Sequence, residues 1–180
     1  TFCFSMKFDF HKELVRIWGY AVELYRDGHQ DACQFPIEED VPFLESIGMN
    51  RMDVFDFVED WVRMGEPDLA VFLLIHEQRK DYFWETQKKV PSTQVLDPTS
   101  LPAKNESLHG IVWLPRIIPK ARAKLRGELD PNTMYCCGGD RNFFRTNQIH
   151  PAEFLRIVKR AGDDDQSIAQ WVLNRKNETE

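Results

Sequence analysis

The sequence has no apolar run near the ~20 residues that span a bilayer, so a membrane protein is not expected. It has no cationic stretch followed by a long apolar core at its N-terminus, so this stretch is not expected to be a secretory signal. Cysteine is scarce: Cys3, Cys33, Cys136 and Cys137. The last two are adjacent, and neighbouring Cα atoms lie ~3.8 Å apart, shorter than the usual disulfide span. A secreted disulfide framework is therefore not expected, and the compartment reads as cytoplasmic. The first residue is Thr1, so Thr1–Ser5 reads as a trimmed or foreign terminus with Met6 as the natural start. Period-two alternation with β-branched enrichment is missing over any useful length. Glycine-rich nucleotide loops, the Gly-x-Ser-x-Gly elbow and Ser-x-x-Lys are missing too.

What is present is a foldable chain. Its 180 residues are 42% hydrophobic and 29% charged, enough for a core without staples. The net charge is −6, which makes general nucleic-acid binding unfavourable. That charge is uneven. Residues 1–90 carry ten Lys and Arg against eighteen Asp and Glu, whereas residues 91–180 carry thirteen against eleven. The two halves could attract each other, or the opposite halves of a partner chain.

Apolar spacing predicts helices throughout. Phe10, Leu14, Ile17, Trp18, Ala21, Val22 and Tyr25 make one stripe, with Asp9 as its cap and Gly28 as its stop. A short helix follows Asp40 and ends at Gly48. Asn50 and Asp53 open the next, which Gly65 closes. Pro67 is expected to open a fourth. From Lys88 to Leu108 the pattern gives way to a polar stretch punctuated by Pro91, Pro98 and Pro102, which reads as a linker or a surface drape. Helices then resume over Trp113–Arg126, from Asp140, from His150-Pro151 to Gly162, and from Asp165 to Arg175. The expectation is an all-α fold with a helical unit over 1–87, a linker over 88–108 and a second helical unit over 109–180.

The halves echo each other at an offset near one hundred. Arg16, Ile17, Ala21 and Arg26 match Arg116, Ile117, Ala121 and Arg126. Asp40, Phe43, Met49, Asp53 and Val58 match Asp140, Phe143, Ile149, Glu153 and Val158. Gly65 and Gly162 close equivalent helices. Internal duplication accounts for this order; the competing account is that helical proteins share caps and stops anyway.

The sharpest chemical feature is a basic helix. Arg116, Lys120, Arg122, Lys124 and Arg126 crowd together with no acid among them. Such a cluster needs a compensating anion. Either it is a solvated face paired with the acidic half, or it cradles a carboxylate or phosphate with Arg116, Lys120, Arg122 and Arg141, Trp113 walling the pocket. The second feature is Cys136-Cys137-Gly138-Gly139-Asp140-Arg141, a glycine turn leading into a helix start. A thiol held there is biased toward the nucleophilic thiolate, though a core cysteine beside a plain turn also fits. Cys137, Asp140 and His109 are the candidate catalytic residues. His109, Cys136, Cys137, Asp140 and His150 are metal-ligand types without ligand spacing, so neither metal nor cofactor is expected.

The stretch Gly110-Ile-Val-Trp-Leu-Pro-Arg-Ile-Ile-Pro-Lys-Ala-Arg-Ala-Lys-Leu-Arg-Gly127 resembles an uncharacterised bacterial family, domain of unknown function 5069. The Cys136-Cys137 turn, Phe143-Phe144 and Gly162-Asp163-Asp164 continue the resemblance over about residues 108–175. It implies a small helical fold and a bacterial source, and it brings no activity. Three readings stay open: a small cytoplasmic enzyme acting on an anionic small molecule, a non-catalytic helical module binding a metabolite or protein, and a structural homodimer.

Overall fold

The computed structural model describes residues 6–177, with side chains over 9–175. Cys3 and the Thr1–Ser5 terminus lie outside the described residues. Eight α-helices lie among them: α1 (Met6–Arg26), α2 (Val41–Ser46), α3 (Arg51–Met64), α4 (Leu69–Asp81), α5 (Leu114–Arg126), α6 (Gly138–Thr146), α7 (Pro151–Ala161) and α8 (Asp165–Asn177). A π-turn, Tyr82–Thr86, extends α4. The fold is mostly helical. The departure from all-α is a hairpin of two two-residue strands, β1 (Ser107–Leu108) and β2 (Ile111–Val112), paired antiparallel. Its two central residues, His109 and Gly110, both take positive φ, as a tight hairpin turn demands. Strands this short leave no period to read.

The chain divides into two compact units, one ending at Glu77 and the other beginning at Gln78. In the first, α1 packs on α3 because their apolar stripes face each other: Leu14, Ile17, Ala21 and Tyr25 meet Val54, Phe57 and Val58, all buried. Full burial of each large apolar side chain is worth about 1.5–3 kcal/mol. Trp18, Phe57, Phe72 and the buried His76 continue this core as a ring cluster. Asn50 and Asp53 form the expected capping box on α3. Two expected starts differ. Helix α1 begins at Met6, ahead of Asp9, which pairs with Lys12 instead of capping. Helix α4 begins at Leu69, not Pro67, with the Asp68 carboxylate accepting from the Val71 N–H. A side-chain acceptor one residue before the helix is the stronger start signal.

In the second unit α5 packs on α7, and α7 on α8. Helix α5 ends at Gly127 in a left-handed conformation. Its last carbonyls are taken by side chains: Arg79 donates to the Leu125 carbonyl at 2.8 Å and Gln87 to that of Arg126 at 3.0 Å. A Cβ at Gly127 would sit 2.5 Å from the Arg79 guanidinium, so glycine serves both the turn and the cap. Residues 88–108 lie in this unit. The Leu96 N–H donates to the Glu128 carbonyl, Ser92 donates to the Glu128 carboxylate, and Leu101 is buried. The segment thus follows the surface of the second unit, and buried contacts fix it despite its lack of periodicity.

Candidate functional site

The site forms where the start of α5 meets the turn into α6. Trp113 is the N-cap of α5 and holds φ at 75°, a left-handed conformation uncommon for a bulky residue. Cys136, just before α6, does the same. Helix α6 starts at Gly138 with Cys137 as N-cap, which corrects the expected cap at Asp140. Asp140 lies in the first turn instead, and its carboxylate folds back over the turn. It accepts from the Cys136 N–H at 2.9 Å, from the Trp113 ring N–H at 3.0 Å and from the Lys120 ammonium at 2.5 Å. Lys120 and Asp140 are 4% and 0% exposed. The anion that compensates Lys120 is therefore this internal carboxylate. Arg141 donates to the Cys136 carbonyl at 2.8 Å and so closes the turn from the other side.

Gly139 is what admits the indole. A Cβ there would lie 2.5 Å from the far edge of the Trp113 ring. A rigid ring cannot yield that distance, so only glycine lets Trp113 reach Asp140. The Arg116 guanidinium stands 5.9 Å from the Trp113 ring centre and donates to the Pro102 carbonyl at 2.8 Å. Cys137 is half-buried, and the Lys120 ammonium lies 3.5 Å from its sulfur.

The structure thus brings together Trp113, Arg116, Lys120, Cys137, Asp140 and Arg141. It directs two other candidates elsewhere. Arg122 donates to the Gly162 carbonyl and pairs with Asp165 at 2.6 Å, joining α5 to the α7–α8 turn. The exposed His109 bonds Gln166 of α8 at 2.5 Å. Sequence reasoning missed the fold-back of Asp140 and the seat of Trp113 on Gly139. The one available signal was the Gly-Gly pair, which marks close approach without saying what approaches. Among the described residues no group of three or more His, Cys, Asp and Glu side chains is placed to hold a metal ion. No described helix is long and apolar enough to cross a membrane.

Burial pushes the Cys136 thiol far above its ordinary range, and the nearby Asp140 adds to this. Burial does the same to the Tyr135 hydroxyl, which donates to the Pro151 carbonyl at 2.8 Å. Both groups release their protons more readily in the unfolded chain. Stability is therefore whole below the unfolded thiol value of about 8.5 and falls as pH rises above it, by up to about 1.4 kcal/mol per pH unit for the thiol alone. Urea unfolding between about pH 8.5 and 10.5 should give a shallower decline for Cys136→Ala than for wild type. Equal slopes would contradict this burial.

A short helical unit with a buried lysine–aspartate pair and a half-buried thiol at a helix start is the class of domain that these observations define. Residues 99–180 match the family model described as Domain of unknown function (DUF5069), in line with the resemblance read from residues 108–175. No curated protein and no solved structure matches the chain.

Proposed function

We propose that the second unit is a thiol-centred site of a small enzyme acting on an anionic small molecule, with Cys137 as the nucleophile. The observation that carries this is the placement of the half-buried Cys137 sulfur 3.5 Å from the Lys120 ammonium, at the N-cap of α6. Lys120 is held by the Asp140 carboxylate, and Arg116 and Arg141 donate to the Pro102 and Cys136 carbonyls on either side of the turn. A carboxylate or phosphate group entering beside Trp113 would meet the Arg116 guanidinium. Asp140, with both oxygens engaged, is assigned to positioning Lys120 and Trp113, not to proton transfer. Free thiols at Cys33 and Cys137 suit a reducing, cytoplasmic compartment.

Duplication is part of the same reading. The first helix of each unit sends a cation to the aspartate before or within the next helix, Arg16 to Asp40 and Lys120 to Asp140. An acid in the first turn of α3 or α7 faces a base on the helix that follows, Asp53 with His76 and Glu153 with Arg175. The Phe35 and Tyr135 rings are both fully buried at matching positions. The second copy then differs from the first in having Cys137, Gly139 and Trp113.

A non-catalytic or structural module is the competing reading, favoured by the internal pairing of Arg122 with Asp165. Thermal-shift titration with inorganic phosphate and with citrate separates the two. The enzyme reading expects stabilisation by at least one of them at millimolar concentration, reduced in Arg116→Ala. Stabilisation by neither would hand the basic helix to the structural reading.

A further inference from the structure

The first unit contains a cleft of about 580 Å³ between α1 and the turn before α2, a volume typical of small-molecule sites. Its walls include Glu13, Arg16, Tyr20, Ile37, Glu39 and Asp40. One hundred residues on, those positions are Trp113, Arg116, Lys120, Cys137, Gly139 and Asp140, the site described above. In the second unit the Trp113 indole occupies this junction, with its ring N–H on Asp140 and the Arg116 guanidinium against its ring. In the first unit the matching residue is Glu13, whose carboxylate turns to Arg16 at 2.6 Å. Among the described residues no ring fills this space, and the Arg16 guanidinium reaches Asp40 along its wall.

The bound indole of one unit thus indicates what the open cleft of the other accepts. Asp40 is the equivalent acceptor. It pairs with Arg16 through Oδ1, and Oδ2 is not used by that pair. Position 39 sets the size limit. Glu39 carries the Cβ that Gly139 lacks, and at Gly139 that atom would collide with the benzo edge of the indole. A monocyclic or open-chain group fits where a fused ring does not. Charge sets the sign. Four carboxylates, Glu13, Glu38, Glu39 and Asp40, meet two guanidiniums, Arg16 and Arg51, which leaves two negative charges in excess. Tyr20, 47% exposed, offers an aromatic face to a cation at the wall.

We propose that this cleft binds a small nitrogen cation of the imidazolium or guanidinium class that carries a second positive charge. A ring or guanidinium N–H donates to Asp40, and the second charge faces Glu39. The proposal rests on the duplication reading for the correspondence of positions, and it is independent of any activity at Cys137.

Histamine is the probe, with tryptamine as an ethylamine whose fused ring has the N–H but no ring charge, followed by amide NMR on the full chain at about pH 5, where the imidazole is largely cationic. Histamine should move the resonances of Tyr20, Glu39 and Asp40 in a saturable way, and tryptamine should bind at least tenfold more weakly. Glu13→Trp should fill the cleft and abolish the histamine response. Glu39→Gln, at an exposed position, should weaken it severalfold without touching the fold. No saturable shift with histamine, or an undiminished response in Glu13→Trp, overturns the proposal. The new indole N–H of Glu13→Trp reports separately on the correspondence: slow solvent exchange means that it has found Asp40. A protected indole together with no histamine binding to wild type would sink the ligand and leave the duplication standing. A solvent-exposed indole would sink the correspondence.

Discussion

Replacing Lys120 by Met should cost about 3–5 kcal/mol of unfolding free energy, among the largest effects of any single substitution in this chain. The reason is what stays behind. Asp140 is fully buried and its charge is shared among three donors, of which Lys120 carries the only positive charge. Without the ammonium, the Trp113 and Cys136 N–H groups remain, and neither neutralises a carboxylate. Lys120→Met/Asp140→Asn should recover a good part of the loss, because the amide oxygen still accepts one N–H and no charge is stranded. The coupling between the two sites should be about 1–3 kcal/mol. The first unit supplies the control. Arg16 pairs with Asp40, whose carboxylate is also buried, but the Arg16 side chain itself is half exposed, so Arg16→Met should cost less than Lys120→Met. Urea denaturation of Lys120→Met, Asp140→Asn, their double variant and Arg16→Met decides the matter. A Lys120→Met protein as stable as wild type would mean that the pair is not buried as described.

The legible part of the fold was whatever local chemistry dictates. Asn50 with Asp53 announced the start of α3, Gly127 the end of α5, and His150-Pro151 the start of α7, where the His150 ring accepts from the Ala152 N–H. Each is settled within four residues of chain. The hairpin at His109-Gly110 escaped because two-residue strands carry no periodicity. Pro67 misled because proline signals a helix start only near the first turn, and the carboxylate of Asp68 set the start two residues later, at Leu69.

The site divides the same way. The crowding of cations on α5 was plain from spacing, and so was the need for an opposing charge. Which charge was not, since Asp140 reads as an ordinary helix cap in one dimension. It faces Lys120 only after α6 has folded against α5. Arg122 was grouped with Lys120 as a ligand-binding cation, yet Arg122 and Arg126 face the acidic turn at Asp163 and Asp165. Gly139 was legible as a point of close approach, but the approaching group, the Trp113 ring, comes from 26 residues earlier and needs a left-handed backbone that no pattern of side chains announces.

The central claim is that Cys137 meets anions. Alkylation of the native protein tests it without knowledge of the substrate. Iodoacetate and iodoacetamide react alike: the sulfur displaces iodide, an S–C bond forms and the C–I bond breaks. They differ in the charge that the reagent brings to the site. At Cys137 the negative reagent approaches the Lys120 ammonium, 3.5 Å from the sulfur on the basic helix α5. At the exposed Cys33 it approaches the acidic half of the chain. The ratio of iodoacetate to iodoacetamide rates, resolved by peptide mass spectrometry, should be at least about tenfold higher at Cys137 than at Cys33, a difference of roughly 1.4 kcal/mol in favour of the anion. Cys136, buried as a thiol, should stay unlabelled, and Arg116→Ala should lower the Cys137 ratio. The same ratio at both cysteines, or a Cys137 that reacts only after unfolding, would contradict the account.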